Sequence, residues 1–123
     1  MMLKGRIDGW DEMVAKAGGS IYQTTHWADL MEKAMNHKAV FVRSETEGNF
    51  NGGLLLFERS LKLGVKQLYS YSEPFMLKES PEVLKELTDM RGAFVLKIAT
   101  SALWDRPEWF GELGFEPSQR ATF

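Results

Sequence analysis

The run Leu54-Leu55-Leu56-Phe57, apolar at odd and even positions alike and preceded by Gly52-Gly53, constrains the fold more than any other stretch of this chain. A strand with one wet face alternates, whereas a strand apolar on both parities is covered on both sides. The expectation is a sheet held between helices, three layers in all. Ala39-Val40-Phe41-Val42 is a second compact run, and the glycine and asparagine punctuation from Glu47 to Gly53 marks an antiparallel hairpin between the two. The glycine pair offers a place for a bulge. A third strand is expected over Val65 to Tyr71, broken by Glu73-Pro74.

Helical spacing surrounds these strands. Trp10, Met13, Val14 and Ala17 form one apolar stripe, with Asp8 as its expected cap and Gly18-Gly19 as its stop. Thr24 or Thr25 caps a second helix, in which Trp27, Leu30, Met31 and Ala34 are expected to face the core and Trp27 to be buried against the sheet. Asp29, Glu32, Lys33 and Asn36 then face water. Ser80-Pro81-Glu82 opens a third helix with a serine cap, proline at the first position and a carboxylate at the positive end of the dipole. Its buried side is Val83, Leu84, Leu87 and Met90, and Arg91-Gly92 closes it. Ala93 to Ile98 reads as a strand reached by a crossover helix, which makes it parallel to its predecessor and the sheet mixed. Asp105 and Glu108 frame a further helix that stops at Gly114-Phe115, and a closing strand begins near Arg120. The order is α-α-β-β-β-α-β-α-β, an α+β chain of three α/β layers.

With 123 residues there is room for one domain, spanning 1–123. Fifteen basic against 17 acidic side chains leave a net charge of -2, without the basic excess of a dedicated nucleic-acid binder. The absence of cysteine removes disulfides, thiolate nucleophiles and sulfur-based zinc sites, and points to a cytoplasmic location. No apolar run approaches the roughly 20 residues of a membrane span. His26 and His37 are 11 residues apart, roughly 16 Å along a helix, and cannot share a metal. No nucleophile elbow, P-loop or dinucleotide fingerprint is present. The pairs Glu82 with Glu86 and Asp11 with Glu12 fall on outer helix faces and read as solvated. Arg59, Lys62 and Lys66 read as a solvated hairpin rim, with a phosphate or an RNA backbone as the alternative. Trp10 and Trp27 read as core. Tyr71 falls at the C-terminal end of the third strand, where ligand crevices of open sheets lie, so Tyr71 and Glu73 are expected beside the main concave pocket.

Two helices, a hairpin, a third strand, a crossover helix, a strand, a helix and a closing strand make a layout that resembles the GNAT N-acyltransferase fold. The segment Ser20-Ile21-Tyr22-Gln23-Thr24-Thr25-His26-Trp27 resembles the Q-(S/T)-x-x-W lead-in to the second helix of the FemAB family, GNAT-like aminoacyl and peptidyl transferases. Gly52-Gly53-Leu54-Leu55-Leu56 is similar to that family's hairpin strand. Tyr71-Ser72-Glu73-Pro74-Phe75 is similar to its Y-x-G-P turn, with Glu73 in place of glycine. Gly92 to Ile98 resembles the strand that often ends in Asp-Pro, an ending replaced here by Ala99-Thr100. Gly114-Phe115 followed by Gln119-Arg120-Ala121-Thr122 is similar to a GF…QPR-x-T segment. The likeness runs over residues 8 to 123 and matches the first of the family's two GNAT-like halves.

The resemblance implies the N-terminal half of a two-lobed acyltransferase that joins an amino acid or peptide donor to an amine acceptor, such as a cell-wall precursor in peptidoglycan biosynthesis. Its substrate-facing candidates are Lys33, Tyr71, Glu73 and Arg120; the place of a basic residue on the second helix of some members is taken by Met31, with Lys33 nearby. It names no catalytic residue, metal or cofactor. The implied partners are the missing C-terminal half and, through it, aminoacyl-tRNA and the cell-wall precursor, with self-association of the isolated half through an apolar patch around Phe115 and Phe123. Two alternatives stand beside it. One is a self-contained acetyl-CoA N-acetyltransferase, whose hallmark turn (R/Q)-x-x-G-x-(G/A) wraps the pyrophosphate with backbone N–H groups. That turn is absent here, since Glu73 repels phosphate and Pro74 has no N–H to give. The other is a non-catalytic binding or regulatory module on the same scaffold.

Overall fold

A computed structural model of the chain describes residues 1–60, 62–89, 95–99 and 109. The doubly apolar run forms the middle of a long strand, β3 (Asn49–Ser60), in which Leu54, Leu55, Leu56 and Phe57 are all fully buried. Leu55 and Phe57 join Trp10, Val14, Ala28, Met31, Phe41 and Phe75 in one cluster. Leu54 and Leu56 join Val42, Leu68, Met76, Val83, Leu84 and Leu87 in a second. Helices α1 (Trp10–Lys16) and α2 (Thr25–Met35) supply the first layer, and α3 (Pro81–Leu87) supplies the opposite one. The three layers are those that the doubly apolar strand demands.

Strands β1 (Met2–Lys4), β2 (Lys38–Thr46), β4 (Lys66–Ser70) and β6 (Val95–Ile98) complete the sheet in the order β1-β2-β3-β4-β6. All neighbours are antiparallel except β4 and β6, which run parallel because α3 lies between them. The mixed α+β sheet flanked by helices is as expected. A short β5 (Phe75–Met76) pairs with β3 at Gly52 and Gly53. Neither β1 nor β5 was legible, being three and two residues long with no alternation to read. The expected helix over Asp105 to Leu113, its stop, the closing strand, Met90, Arg91-Gly92 and Arg120 lie outside the described residues. Trp109 alone is described there, packed on the α3-side cluster.

Local chemistry explains where the elements start and stop. Ser80 Oγ accepts from Val83 N at 3.1 Å and Pro81 opens α3, as its sequence promised. Thr24 caps α2, whereas α1 starts from Gly9 at φ 83° with no side-chain cap, so Asp8 does not serve. The hairpin turn is Glu47-Gly48, two residues with positive φ of 52° and 80°, which leaves Asn49 to Gly53 inside the strand rather than in a loop. Ser44 pairs with Gly52 and Glu45 with Phe50, so Asn51 is the extra residue of a bulge next to the glycine pair. At Gly53 a Cβ would come within 2.6 Å of the Phe75 ring and 2.8 Å of Trp10, so bare backbone is what lets both rings close on the strand.

The stripe on α2 is rotated from its expected position. Ala28 and Met31 are buried and Trp27 is half-buried, while Leu30 and Ala34 are exposed. The helix rests on the sheet through the small Ala28, which permits close approach and turns Leu30 about 130° from the contact line. The fully enclosed tryptophan is Trp10, 1% exposed, edge-on to Phe41 and Phe75 at 5.0 and 5.2 Å, its indole N–H donating to the Gln23 carbonyl at 2.6 Å. Trp10→Ala is therefore expected to cost about 3–5 kcal/mol and Trp27→Ala about 1–2 kcal/mol in urea unfolding.

Gln23 closes the structure at its weakest point. β4 pairs with β3 from Ser60 to Phe57 and β5 pairs at Gly53 and Gly52, so the same edge of β3 has no partner strand along Leu54 to Leu56. The fully buried Gln23 side chain fills that gap. Its Oε1 accepts from Leu55 N at 2.6 Å, and its Nε2 donates to Ser70 Oγ at 3.0 Å, Ser72 Oγ at 2.9 Å and the Ser72 carbonyl at 3.1 Å. Gln23→Leu keeps the volume and orphans these groups; at about 1–3 kcal/mol for each buried unpaired group, the loss is expected to be about 3 kcal/mol or more. Urea unfolding of this variant beside Gln23→Glu, which keeps the acceptor for Leu55, separates the sheet-edge contribution from that of the serines.

Candidate functional site

On the side of the sheet covered by α2, every second residue of β4 and its extension contributes to one strip. Gln67 pairs with Arg59, Tyr69 pairs with Phe57, and Tyr71 follows beyond the strand's end. The Tyr69 ring lies 5.8 Å from Phe57 and 5.4 Å from Tyr71, with the Arg59 guanidinium 5.8 Å above it. Tyr71 in turn meets Trp27 at 5.3 Å and Tyr22 at 6.0 Å, and Tyr22 meets Trp27 at 4.8 Å. The strip thus grades from a guanidinium and an amide at one end to edge-on and tilted aromatic rings at the other.

His37 enters the strip because α2 ends early. Asn36 adopts the left-handed conformation at φ 55°, its N–H returns to the Glu32 carbonyl at 3.2 Å, and the chain turns into β2. His37 then sits edge-on to Tyr69 at 5.7 Å with Nδ1 hydrogen-bonded to the phenol. Burial pushes the Tyr69 pKa well above the ordinary tyrosine value; a hydrogen bond with Tyr71 adds to the shift and Arg59 opposes it. Which partner of the His37–Tyr69 bond donates is set by the imidazole tautomer. Such a phenol–imidazole pair is equipped to hold and pass a proton. The Trp27 indole nitrogen is enclosed here without a hydrogen-bond partner among the described residues.

Beside this pair lies a cavity of about 630 Å³ lined by Asn36, His37, Lys38, Glu58, Arg59 and Ser60. Neither Tyr71 nor Glu73 lines this cavity, which opens toward the other end of β4. Tyr22 and Trp27 occupy the space over Tyr71, and the early stop of α2 uncovers the sheet at His37. Tyr71 is half-buried at the end of β4, and Glu73 is half-buried in the turn before the buried Pro74. Lys33 is exposed on α2, about 120° around the helix from Trp27 and so away from Tyr71. Arg120 lies outside the described residues. His26 is exposed near Asp11, whose carboxylate accepts from Thr25 N at 2.7 Å and from its hydroxyl at 2.5 Å to hold the start of α2. Among the described residues no group of His, Asp or Glu is placed to hold a metal ion, and no helix is long and apolar enough to cross a membrane.

Sequence reasoning missed the His37–Tyr69 pair, whose members are 32 residues apart. The signal it left is the shared parity of Gln67, Tyr69 and Tyr71, but His37 joins them only through the register of β2 and the early helix stop. Gln23 stood inside the lead-in motif without a role, because its partners Leu55, Ser70 and Ser72 are 32 to 49 residues away.

No protein-family model matches the sequence, and no curated protein aligns with it significantly. Solved structures do share its architecture. A ribosomal-protein-alanine N-acetyltransferase from Brucella melitensis biovar Abortus 2308 superposes with a TM-score of 0.69 at 10% identity, covering 100% of this chain and 96% of its own. A probable acetyltransferase gives a TM-score of 0.64 at 12% identity over 97% of this chain and 91% of its own. Glucosamine-6-phosphate N-acetyltransferase from Arabidopsis thaliana gives 0.54 at 9% identity over 100% and 97%. At such identities the likeness is one of fold, and that fold is GNAT-like. The narrower FemAB-type resemblance rests on the sequence motifs.

The raised pKa of Tyr69 has a sign that experiment reads directly. A phenol that holds its proton more tightly when folded stabilises the protein fully below the ordinary tyrosine pKa of 10.0, and that contribution fades as pH rises above it. Tyr69→Phe is expected to flatten the decline in stability as pH rises above about 10, measured by urea unfolding, relative to the parent chain.

Proposed function

We propose that this chain is an acyltransferase domain of the FemAB type, the N-terminal GNAT-like half of a protein that forms an amide bond between an amino acid or peptide donor and an amine acceptor. The observation that carries the reading is the state of the segment after β4, where a CoA-using enzyme of this fold wraps the donor's pyrophosphate in backbone N–H groups. Here five of those donors are spent internally. Ser72 N turns to Ser70 Oγ, Leu77 N and Lys78 N both donate to the Asn51 carbonyl at 2.8 and 3.0 Å, and Val83 N and Leu84 N go to the Oγ and the carbonyl of Ser80. Pro74 and Pro81 have none to give, and Glu73, Glu79 and Glu82 add negative charge along the same segment.

On this reading the chain supplies positioning rather than a nucleophile. The Tyr22, Trp27 and Tyr71 rings form a wall for an acyl or peptide group, and the His37–Tyr69 pair takes up or returns a proton as the acceptor amine attacks. The proposed partners are the second GNAT-like half and, through it, aminoacyl-tRNA and the acceptor. A self-contained N-acetyltransferase is the second reading, favoured by superposition over more than nine-tenths of the chains of the solved acetyltransferases.

Isothermal titration with acetyl-CoA separates the two. The expected outcome is no micromolar binding and no acetyl transfer to small amines. Micromolar binding with transfer would overturn the FemAB-type reading in favour of the self-contained enzyme.

A further inference from the structure

Apart from His37, the cavity at the end of α2 has a wall chemistry that the acyl-transfer reading leaves unused. Its charged lining is Lys38, Glu58 and Arg59. Glu58 is already paired, with Lys66 Nζ 3.3 Å from its Oε1. Glu32, the nearest acidic residue on α2, has its Oε2 engaged by Ala39 N at 3.1 Å. Among the described residues Lys38 has no such partner, and the two terminal nitrogens of the Arg59 guanidinium have none either. The cavity thus presents two cations whose neighbouring carboxylates are satisfied elsewhere.

Arg59 is also held in place, which distinguishes it from an ordinary surface arginine. Its Nε donates to Gln67 Oε1 at 2.5 Å, and Gln67 is 4% exposed, so the anchor itself cannot swing. The guanidinium plane is held over Tyr69 as well. An arginine fixed at Nε and over a ring keeps its outer fork free for two parallel hydrogen bonds to a single oxyanion. Neutral donors complete the lining in the Asn36 amide and the Ser60 hydroxyl. The carbonyl end of α2 opposes an anion with about half an elementary charge, outweighed by the full charges of Lys38 and Arg59.

We propose that this cavity is a binding site for a compact oxyanion, a phosphate or carboxylate group of a small molecule, gripped by the Arg59 fork and by Lys38 with His37 and Ser60 alongside. It goes beyond the acyl-transfer reading and does not rest on it. The site also gives a purpose to the basic cluster near the second turn, which splits into a ligand-facing Arg59 and a Lys66 committed to Glu58.

The test is a titration of the full chain with inorganic phosphate and, separately, with succinate at constant ionic strength, following backbone amide resonances. Saturable shifts confined to residues 36–38 and 58–60 are expected. Arg59→Gln should weaken binding by about tenfold or more and Lys38→Gln by less, while Lys16→Gln, the same charge change on α1, leaves it as it was. Saturation by phosphate alone assigns a phosphate-bearing ligand and saturation by succinate a carboxylate, and either supports the site. Shifts that never saturate, that spread over the surface, or that persist unchanged in Arg59→Gln would overturn it, whatever acetyl-CoA does.

Discussion

One buried amide holds this sheet together where its strands part. β3 must be paired along its whole edge or leave N–H and C=O groups stranded in the core, and neither β4 nor β5 reaches Leu55. Gln23 takes the place of the missing strand residue, accepting from Leu55 and donating to Ser70 and Ser72. The fully buried Trp10 ties the Gln23 main chain to α1 through its indole N–H. A 3-10 turn (Ile21–Gln23), helix α1, strands β3 and β4 and the turn at Ser72 therefore share one hydrogen-bonded junction.

The functional strip inherits its order from that junction. Ser70 and Ser72 bracket Tyr71, so fixing their hydroxyls and carbonyl fixes where the tyrosine leaves the strand. Tyr71 then sets the packing of Trp27 and Tyr22 on one side and of Tyr69 on the other. The strength of the arrangement is cooperative: each ring stands edge-on or tilted to the next, and the polar groups beneath are paired with one another.

What could be read beforehand was whatever depends on short-range pattern. The doubly apolar Leu54 to Phe57, the Ser80-Pro81 helix start and the parallel strand after it carry their meaning within a few residues, and they led to the correct layers and to a GNAT-like fold. The rotation of α2 could not be read, because Leu30 and Ala28 are equally acceptable on an apolar stripe and only docking through a small methyl decides between them. The site was less legible still. Tyr71 was reached from the end of its strand, but the pairing of His37 with Tyr69 and the anchoring of Arg59 by Gln67 require the register of three strands. Lys33, chosen by resemblance, lies away from Tyr71 on the helix surface.

The bulge at Asn51 carries a consequence for how such a chain can change. One carbonyl, that of Asn51, receives both Leu77 and Lys78, and its side chain reaches back to Ser44 and Thr46. The path from Ser70 to Leu77 is thus stretched between two fixed posts, Gln23 and Asn51, with a buried proline midway. Insertions or deletions within that path would pull one post from its partners, whereas the exposed Glu47-Gly48 turn, tied among the described residues to nothing beyond its own hairpin, leaves length free to drift. Related sequences should therefore differ in length at the hairpin tip and keep a constant count between the two posts, a spacing rule that outlasts similarity in the residues themselves.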